Sequence, residues 1–166
     1  MAQETIILDQ QEIQHKIRRI AWQIYETNVN EQEIVIAGIV QNGFRLAERL
    51  KEAVQKISPI KVLLCEVHID KKNPTGEIKT SLPPIEYQDK SLLLVDDVLH
   101  SGTTLIYGVK HFLEVPLKQF KTAVLVDRNH KKYPVKADFK GISLSTSLNE
   151  NISVVFDGRN DRAILE

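Results

Sequence analysis

The stretch Leu-Leu-Leu-Val-Asp-Asp-Val-Leu-His-Ser-Gly-Thr-Thr, residues 92–104, decides how the rest of the chain is interpreted. Its first four residues are apolar, as expected for a strand that is buried on both faces of a sheet. Asp96 and Asp97 then place two carboxylates at the predicted end of that strand. A turn at Gly102 lets the backbone approach a ligand closely. Three hydroxyl side chains flank this turn where a helix is expected to begin, namely Ser101, Thr103 and Thr104.

The two halves of this stretch predict two halves of a ligand. The exposed N–H groups and the dipole at a helix N-terminus favour a phosphate group. Two carboxylates accept hydrogen bonds from hydroxyls, and their mutual repulsion is relieved by such donors or by a divalent metal ion. A sugar phosphate with free vicinal hydroxyls satisfies both halves. The alternative is that two acids merely end a strand and the hydroxyls cap a helix.

The residues before this stretch alternate between helix and strand patterns. Isoleucines at positions 13, 17, 20 and 24 form one apolar stripe, and Asp9 with Glu12 resembles a capping box, so a helix is predicted from Gln10 to Thr27. The other predicted elements before residue 92 are a strand over 34–40, a helix over 44–57 and a strand over 60–69.

After the third strand, predicted over 91–95, we expect a helix over 103–114 and a strand over 120–126. Two short strands near Ile142 and Val154 and a final helical turn follow. Strand–helix alternation predicts an α/β domain with a central parallel sheet flanked by helices on both faces. Ligands of such sheets bind at the carboxyl ends of the strands. The whole chain, 1–166, is expected to be this one domain.

Between Asp70 and Lys90 the pattern gives way to Lys, Asn, Pro, Thr, Gly and Glu residues. We interpret this as a polar excursion that forms no packed element of its own. Loops of this length inside a compact domain are often functional lids.

Composition excludes several classes of protein. The 166 residues carry 22 basic and 22 acidic side chains, so wholesale electrostatic capture of nucleic acid or of an anionic membrane is disfavoured. Cys65 is the only cysteine and lies in an apolar run, which favours a buried thiol in a reducing compartment. The acidic start at Met1–Glu4 and the lack of any apolar run near 18 residues predict a cytoplasmic protein without a signal or a membrane span.

Other phosphate-binding and catalytic patterns are absent from the sequence. It contains neither the Gly-x-x-x-x-Gly-Lys-Ser/Thr run of a P-loop nor a Gly-x-Gly-x-x-Gly dinucleotide fingerprint. A response-regulator receiver is rejected because too little chain follows the acids at 96–97. No Ser-His-Asp, Cys-His or metal-ligand spacing is evident, so no protein-held metal site is predicted.

At residues 92–104 the chain resembles the type I phosphoribosyltransferases, whose signature is an apolar strand, two acids and a Thr/Ser-Gly-x-Thr turn. It is most similar to the branch of bifunctional pyrimidine operon attenuation regulators and uracil phosphoribosyltransferases. Supporting stretches are the N-terminal helix, the junction from Ala37 to Ala47, and residues 125–130 with 137–141. The resemblance covers almost the whole chain.

The resemblance implies a phosphoribosyltransferase that moves the phosphoribosyl group of phosphoribosyl pyrophosphate (PRPP) to a nucleobase, with uracil favoured, and releases pyrophosphate. Mg²⁺ would be bound together with PRPP. The family's ribose-binding acids match Asp96 and Asp97, and these are the catalytic candidates. The PRPP-binding stretch continues through Val98, Leu99, His100, Ser101, Gly102, Thr103 and Thr104. The pyrophosphate loop falls on Gln41, Asn42 and Gly43.

Two departures from the family concern the pyrophosphate end of the site. Relatives carry Lys-Thr-Arg-Gly where this chain has Val40-Gln41-Asn42-Gly43, so two positive charges are lost. The flexible hood, about 66–90, is shorter and lacks the expected Tyr-Arg pair. Three hood lysines are candidates to replace that charge, Lys71, Lys72 and Lys79, with solvated loop lysines as the alternative.

On the base side, Asp127 and Arg128 lie where the family binds the nucleobase, and a surface ion pair is the alternative. The resemblance implies a second candidate function, a nucleotide-responsive RNA-binding regulator of pyrimidine genes, and residues 118–140 would offer RNA seven Lys or Arg against two Asp. Arg18 and Arg19, predicted to lie on a solvated helix face, would extend that basic region across a dimer. The resemblance implies a homodimer or higher oligomer. A third interpretation keeps the ligand pocket without turnover.

Overall fold

The computed structural model of this protein describes residues 4–147 and 150–166. The first helix, α1, spans Gln10–Thr27 as predicted. The Glu12 N–H donates to Asp9 Oδ1 at 2.8 Å, and the Asp9 N–H donates to Glu12 Oε1 at 3.2 Å, so the capping box is present. Because both signals are local in sequence, the sequence defines this helix well.

The main sheet has six strands in the order β4-β3-β2-β5-β6-β7. Five of them run parallel, and the short β4 pairs antiparallel with β3. The strands are β2 (Glu33–Ile39), β3 (Lys61–His68), β4 (Lys79–Thr80), β5 (Ser91–Leu99), β6 (Gln119–Asp127) and β7 (Phe139–Ser143). The predicted parallel sheet is therefore confirmed.

Helices cover both faces of this sheet, and consecutive residues of β2 show why. Ile36 faces the core built with α1 and α2 (Asn42–Ile57), whereas Val35 and Ala37 face the core built with α3 (Pro84–Tyr87) and α4 (Thr103–Phe112). All three side chains are fully buried. A strand with both faces buried reads as a continuous apolar run, which is the pattern in the sequence.

A second, three-stranded antiparallel sheet was not predicted. It consists of β1 (Thr5–Leu8), β9 (Arg162–Leu165) and β8 (Ile152–Val155), in that order. The predicted final helical turn is wrong, because its residues form β9 and pair with both other strands of the small sheet. Strands of four residues are too short to show a recognisable alternation of apolar and polar residues.

The polar excursion also contains packed structure, against prediction. It supplies β4 and α3, and Tyr87 at the end of α3 is only 2% exposed. The Tyr87 ring packs edge-on against Phe112 of α4 at 5.1 Å between centroids. The segment is thus anchored at its C-terminal end by one aromatic residue among polar ones.

Two predictions about individual side chains have opposite outcomes. Cys65 is buried as expected, and burial raises the pKa of its thiol. Arg19 does not lie on a purely solvated face, because its Nη2 donates to the Gly141 carbonyl at 2.8 Å and so ties α1 to β7. Within the described ranges, none of the helices has the length and apolar composition needed to cross a membrane.

Candidate functional site

The central strands bring the three candidate loops to one edge of the sheet. β2 and β6 both pair in parallel with β5, so their carboxyl ends lie side by side. The loops that follow them are Val40–Gln41, His100–Gly102 and the segment that begins at Arg128. This is the arrangement that places ligands at the carboxyl edge of open α/β sheets.

The two acids lie inside β5 and not after it, because the strand continues to Leu99. Asp96 pairs with Val124 of β6 and is 4% exposed. Its Oδ1 accepts the Asp97 N–H at 2.9 Å, and Asp97 Oδ1 accepts the Val98 N–H at 2.9 Å. Burial, followed by the neighbouring Asp97 charge, raises the pKa of Asp96 well above its usual range.

The carboxylates of these two residues have different surroundings. Asp96 lines a cavity of about 80 Å³ together with residues 98–105. Asp97 faces the loop after β2, where Asn42 Nδ2 donates to its Oδ2 at 3.3 Å. Asp96 lies close to this second loop as well, since its Oδ1 would be 3.1 Å from a Cβ on Gly43.

The loop from His100 to Gly102 has the geometry of a phosphate cradle. Gly102 has φ +88°, and a Cβ there would lie 2.7 Å from Val135 Cγ1, so this position favours glycine. Ser101 Oγ contacts Thr103 Oγ1 at 2.8 Å and accepts the Thr103 N–H at 3.3 Å. The first turn of α4 then presents backbone N–H groups that have no partner within the helix.

Backbone contacts hold this cradle against the segment after β6. The Ser101 carbonyl accepts the N–H groups of Lys132 at 2.7 Å and of Tyr133 at 3.2 Å. Residues 132–133 therefore fix the position of the loop through its backbone.

The loop after β2 approaches β5 closely. A Cβ on Gly43 would lie 2.8 Å from the Val95 carbonyl oxygen and 3.1 Å from Asp96 Oδ1, so only glycine fits without a shift of backbone. The Val40–Gln41 peptide is cis. Asn42 Nδ2 also donates to the Val154 carbonyl at 2.7 Å, which joins this loop to the small sheet.

Lys71 is the hood lysine that the structure brings to the candidate site. It lines the same cavity as Asp96, and its charge acts to lower the pKa of Asp96 against the stronger effects of burial and Asp97. Lys72 and Lys79 are not among the residues that line this cavity. The sequence offered all three lysines and no means of choosing between them.

On the base side, Asp127 and Arg128 already have protein partners. Asp127 is 2% exposed, accepts the Asn129 N–H at 3.0 Å and lies 3.7 Å from Lys140 Nζ. Arg128 Nη1 contacts His100 Nδ1 at 3.1 Å. Its other nitrogens donate to Thr146, Ser147 and Glu150, residues that the sequence did not signal.

Three of the seven basic side chains in residues 118–140 form ion pairs within the chain. Lys118 contacts Glu31, Lys136 contacts Asp138, and Lys140 contacts Asp127. These pairs reduce the positive charge that the region offers to an RNA backbone. In the described part of the chain, no cluster of three or more His, Cys, Asp or Glu side chains is arranged to hold a metal ion.

Residues 3–157 match the family profile described as "Phosphoribosyl transferase domain". The "Bifunctional protein PyrR" of Bacillus subtilis (strain 168) is 34% identical over 167 aligned residues, covering 95% of this chain and 92% of that protein. The protein of the same name from Geobacter sp. (strain M21) is 36% identical over 169 residues, covering 96% of this chain and 95% of that protein.

Two solved structures that the chain matches at low identity are named as phosphoribosyltransferases. A hypoxanthine-guanine phosphoribosyltransferase (hpt-2) from Bacillus anthracis has a TM-score of 0.73 at 23% identity, with 92% of this chain and 87% of that chain covered. A hypoxanthine phosphoribosyl transferase from Trypanosoma cruzi has a TM-score of 0.79 at 17% identity, with 98% and 91% covered. At these identities the likeness establishes the fold alone.

Proposed function

The chain belongs to the phosphoribosyltransferase family, and on that premise we propose that it transfers the phosphoribosyl group of PRPP to a nucleobase. Uracil is the first candidate base. The observation that carries the proposal is the cavity lined jointly by Asp96 and the loop from His100 to Thr104. One end of that cavity suits hydroxyl donors and the other suits a phosphate group.

In this reaction the bond between C1′ of the ribose and the pyrophosphate oxygen breaks, and a bond from a ring nitrogen of the base to C1′ forms. The nitrogen loses its proton, and pyrophosphate leaves with the bonding electron pair. The sugar carries positive charge in the transition state, so the protein needs no nucleophile. It has to fix the ribose, hold the leaving group and exclude water.

We assign these tasks to three groups of residues. Asp96 and Asp97 accept the ribose hydroxyls, and Ser101 with the first turn of α4 holds the 5′-phosphate. The loop from Gln41 to Gly43 receives the pyrophosphate through backbone N–H groups and Asn42. Lys71 supplies a positive charge from the hood.

Mg²⁺ fits this scheme as part of the substrate. The described residues offer no cluster of three metal-ligating side chains, whereas PRPP itself provides phosphate and hydroxyl oxygens, the hard ligands that Mg²⁺ prefers. We therefore propose that the ion arrives with PRPP, which would neutralise part of the leaving group's charge.

Base contacts by Asp127 and Arg128 require an exchange of partners. The donors of Arg128 engage His100, Thr146, Ser147 and Glu150, and the Asp127 carboxylate engages Asn129 and Lys140. We still propose that these two residues lie at the end of the site where the nucleobase binds. We propose that these contacts hold the segment after β6 in place beside the site.

The test is a panel of nucleobases incubated with PRPP and Mg²⁺ and scored for pyrophosphate. We expect release with uracil, and a loss of about 10²-fold or more in the D96N/D97N double variant. Two hydrogen bonds to charged groups are each worth roughly 1.5–3 kcal/mol. The matched control is E48Q/E52Q, which removes two exposed carboxylates from α2.

Each result separates the candidate functions. If no base releases pyrophosphate, the enzymatic proposal is wrong. Thermal stabilisation by uridine monophosphate without pyrophosphate release would favour a nucleotide binder, for which the loss of cations at Val40–Gly43 is the supporting observation. If D96N/D97N still releases pyrophosphate, the assignment of Asp96 and Asp97 to the ribose site is wrong.

A further inference from the structure

His100 is the side chain through which the phosphate loop contacts the base side. It lines the cavity beside Asp96, and its Nδ1 lies 3.1 Å from Arg128 Nη1. A guanidinium has only N–H donors and cannot accept a hydrogen bond. Nδ1 must therefore be the acceptor in this contact, and the ring proton of a neutral His100 must reside on Nε2.

Arg128 is held in place by three further acceptors. Its Nε donates to Thr146 Oγ1 at 2.9 Å, and its Nη2 donates to the carbonyl oxygens of Glu150 at 2.8 Å and Ser147 at 3.2 Å. Thr146 is itself buried. Because the guanidinium is anchored on both sides, it cannot turn away if His100 gains a second proton.

A protonated His100 would place one N–H donor against another and one cation against another. The charged groups that act on its ring are Arg128, Lys71 and Asp97. Burial and then Arg128 lower the pKa of His100, Lys71 acts in the same direction, and Asp97 opposes them. The imidazole is therefore uncharged at neutral pH.

We propose that Arg128 is a positioning residue that fixes His100 as the neutral Nε2–H tautomer, and that this N–H donates to the phosphate group bound at residues 101–104. The inference rests on the proposed function for the identity of the ligand. It gives the site a directional donor at residue 100 without an added positive charge. Arg128 thereby acts on the phosphate end of the ligand through His100.

The tautomer can be read directly by nuclear magnetic resonance on protein labelled with ¹⁵N-histidine. Long-range ¹⁵N–¹H correlation spectra distinguish the two ring tautomers and follow the titration of His100. We expect the Nε2–H form in the wild type and a titration midpoint below the ordinary value of about 6.5. In R128M we expect exchange between tautomers and a higher midpoint, with partial return in R128K.

The matched control is Arg45→Met. Arg45 donates to the Phe156 carbonyl at 3.2 Å and does not line the cavity, so its removal should leave the His100 spectrum unchanged. A wild-type Nδ1–H tautomer, a midpoint at or above about 6.5, or an R128M spectrum identical to the wild type would each overturn the positioning role of Arg128.

The donor role is tested by the affinity for ribose 5-phosphate, which requires no turnover. Glutamine keeps an N–H donor near the position of Nε2, so H100Q should weaken binding by less than about threefold. H100L removes the donor and should weaken binding by about tenfold, the lower end for a hydrogen bond to a charged group. Equal affinities of H100Q and H100L would refute the phosphate contact. Because these readouts need no base, they separate a failure of this inference from a failure of the transferase proposal.

Discussion

The loops after β5 and β2 are neighbours at one sheet edge, and both pass through a glycine into a helix, yet they are equipped differently. The loop at residues 100–104 combines a glycine at φ +88°, three hydroxyl side chains and a helix N-terminus. The loop at residues 40–43 has a tightly packed glycine and two amides but no cation. Under the proposed function, we interpret this difference as a complete site for one phosphate beside a weakened site for a second.

Charge explains why this difference matters for function. A monophosphate can be held by N–H groups and hydroxyls, whereas pyrophosphate concentrates more negative charge and gains more from nearby cations. Lys71 lines the cavity beside residues 98–105, and we propose that its charge compensates in part when PRPP is bound. We therefore expect a smaller preference for PRPP over ribose 5-phosphate than a loop with Lys and Arg would give.

The largest expected effect comes from disrupting the stronger loop with Gly102→Ala. A side chain there adopts a disfavoured positive φ and its Cβ lies 2.7 Å from Val135 Cγ1. We expect the free energy of unfolding to fall by about 1–3 kcal/mol. The dissociation constant for ribose 5-phosphate should rise about thirtyfold, which is equivalent to roughly 2 kcal/mol of binding free energy. Titration calorimetry measures this constant.

Gly158→Ala is the matched control for that variant. Gly158 has φ +83°, but a Cβ added there would meet no atom within 4 Å, so the substitution carries the backbone cost without the collision. It should lower stability by about 1 kcal/mol and leave ribose 5-phosphate binding unchanged. Equal binding losses in the two variants would mean that the cradle geometry at Gly102 is irrelevant.

The second prediction restores a cation to the weaker loop with Asn42→Arg. The new guanidinium should strengthen PRPP binding relative to ribose 5-phosphate by about tenfold, or roughly 1.4 kcal/mol. Asn42→Leu serves as the control, because it removes the Asp97 and Val154 contacts without adding charge. The measurement is the ratio of the two dissociation constants, and an unchanged ratio in Asn42→Arg would contradict a pyrophosphate role for this loop.

The third prediction concerns the hood. Lys71→Met should weaken PRPP binding by about threefold to fivefold, since an exposed cation contributes up to about 1 kcal/mol, and the loss should shrink at high salt. Lys72→Met is the neighbouring control, because Lys72 is exposed and does not line the cavity. If the two variants bind PRPP with equal affinity, Lys71 does not compensate for the missing cations of the loop at residues 40–43.

The stronger loop was also the part that sequence reasoning predicted best. Residues 92–104 carry their signals within one continuous stretch, as does α1 with its capping box and isoleucine stripe. The strand boundary was the exception. The prediction ended the third strand at Val95, whereas pairing with β6 continues it through the acids to Leu99.

The rest of the molecule depends on contacts between distant residues. β1 and β9 pair Thr5 with Leu165, and neither strand has a pattern of its own. Arg128 donates hydrogen bonds to Thr146 and Glu150, which lie in a segment whose sequence has no helical or strand periodicity of apolar residues. Lys71 lies beside the cavity because of the path that the hood takes. The spacing of polar residues in the sequence does not encode that path.

The smallest expected effect tests the acid shared by the two loops, through the pH dependence of stability in Asp96→Asn. The pKa of Asp96 is raised by burial and by Asp97, so its ionised form is less favourable in the folded state than in the unfolded state. Its contribution to stability is fully favourable below the ordinary Asp pKa of about 3.9 and is lost as pH rises through the folded-state pKa.

The introduced asparagine is uncharged at every pH and keeps an acceptor for the Asp97 N–H, so Tm of the variant relative to wild type should increase from about pH 4 to about pH 8. In Asp157→Asn, an exposed loop position where hydrogen bonds from Asn160 and Arg159 lower the carboxyl pKa, Tm relative to wild type should instead fall as pH rises, mostly below about pH 5. A Tm difference for Asp96→Asn that does not change with pH would mean that the pKa of Asp96 is not raised in the folded protein.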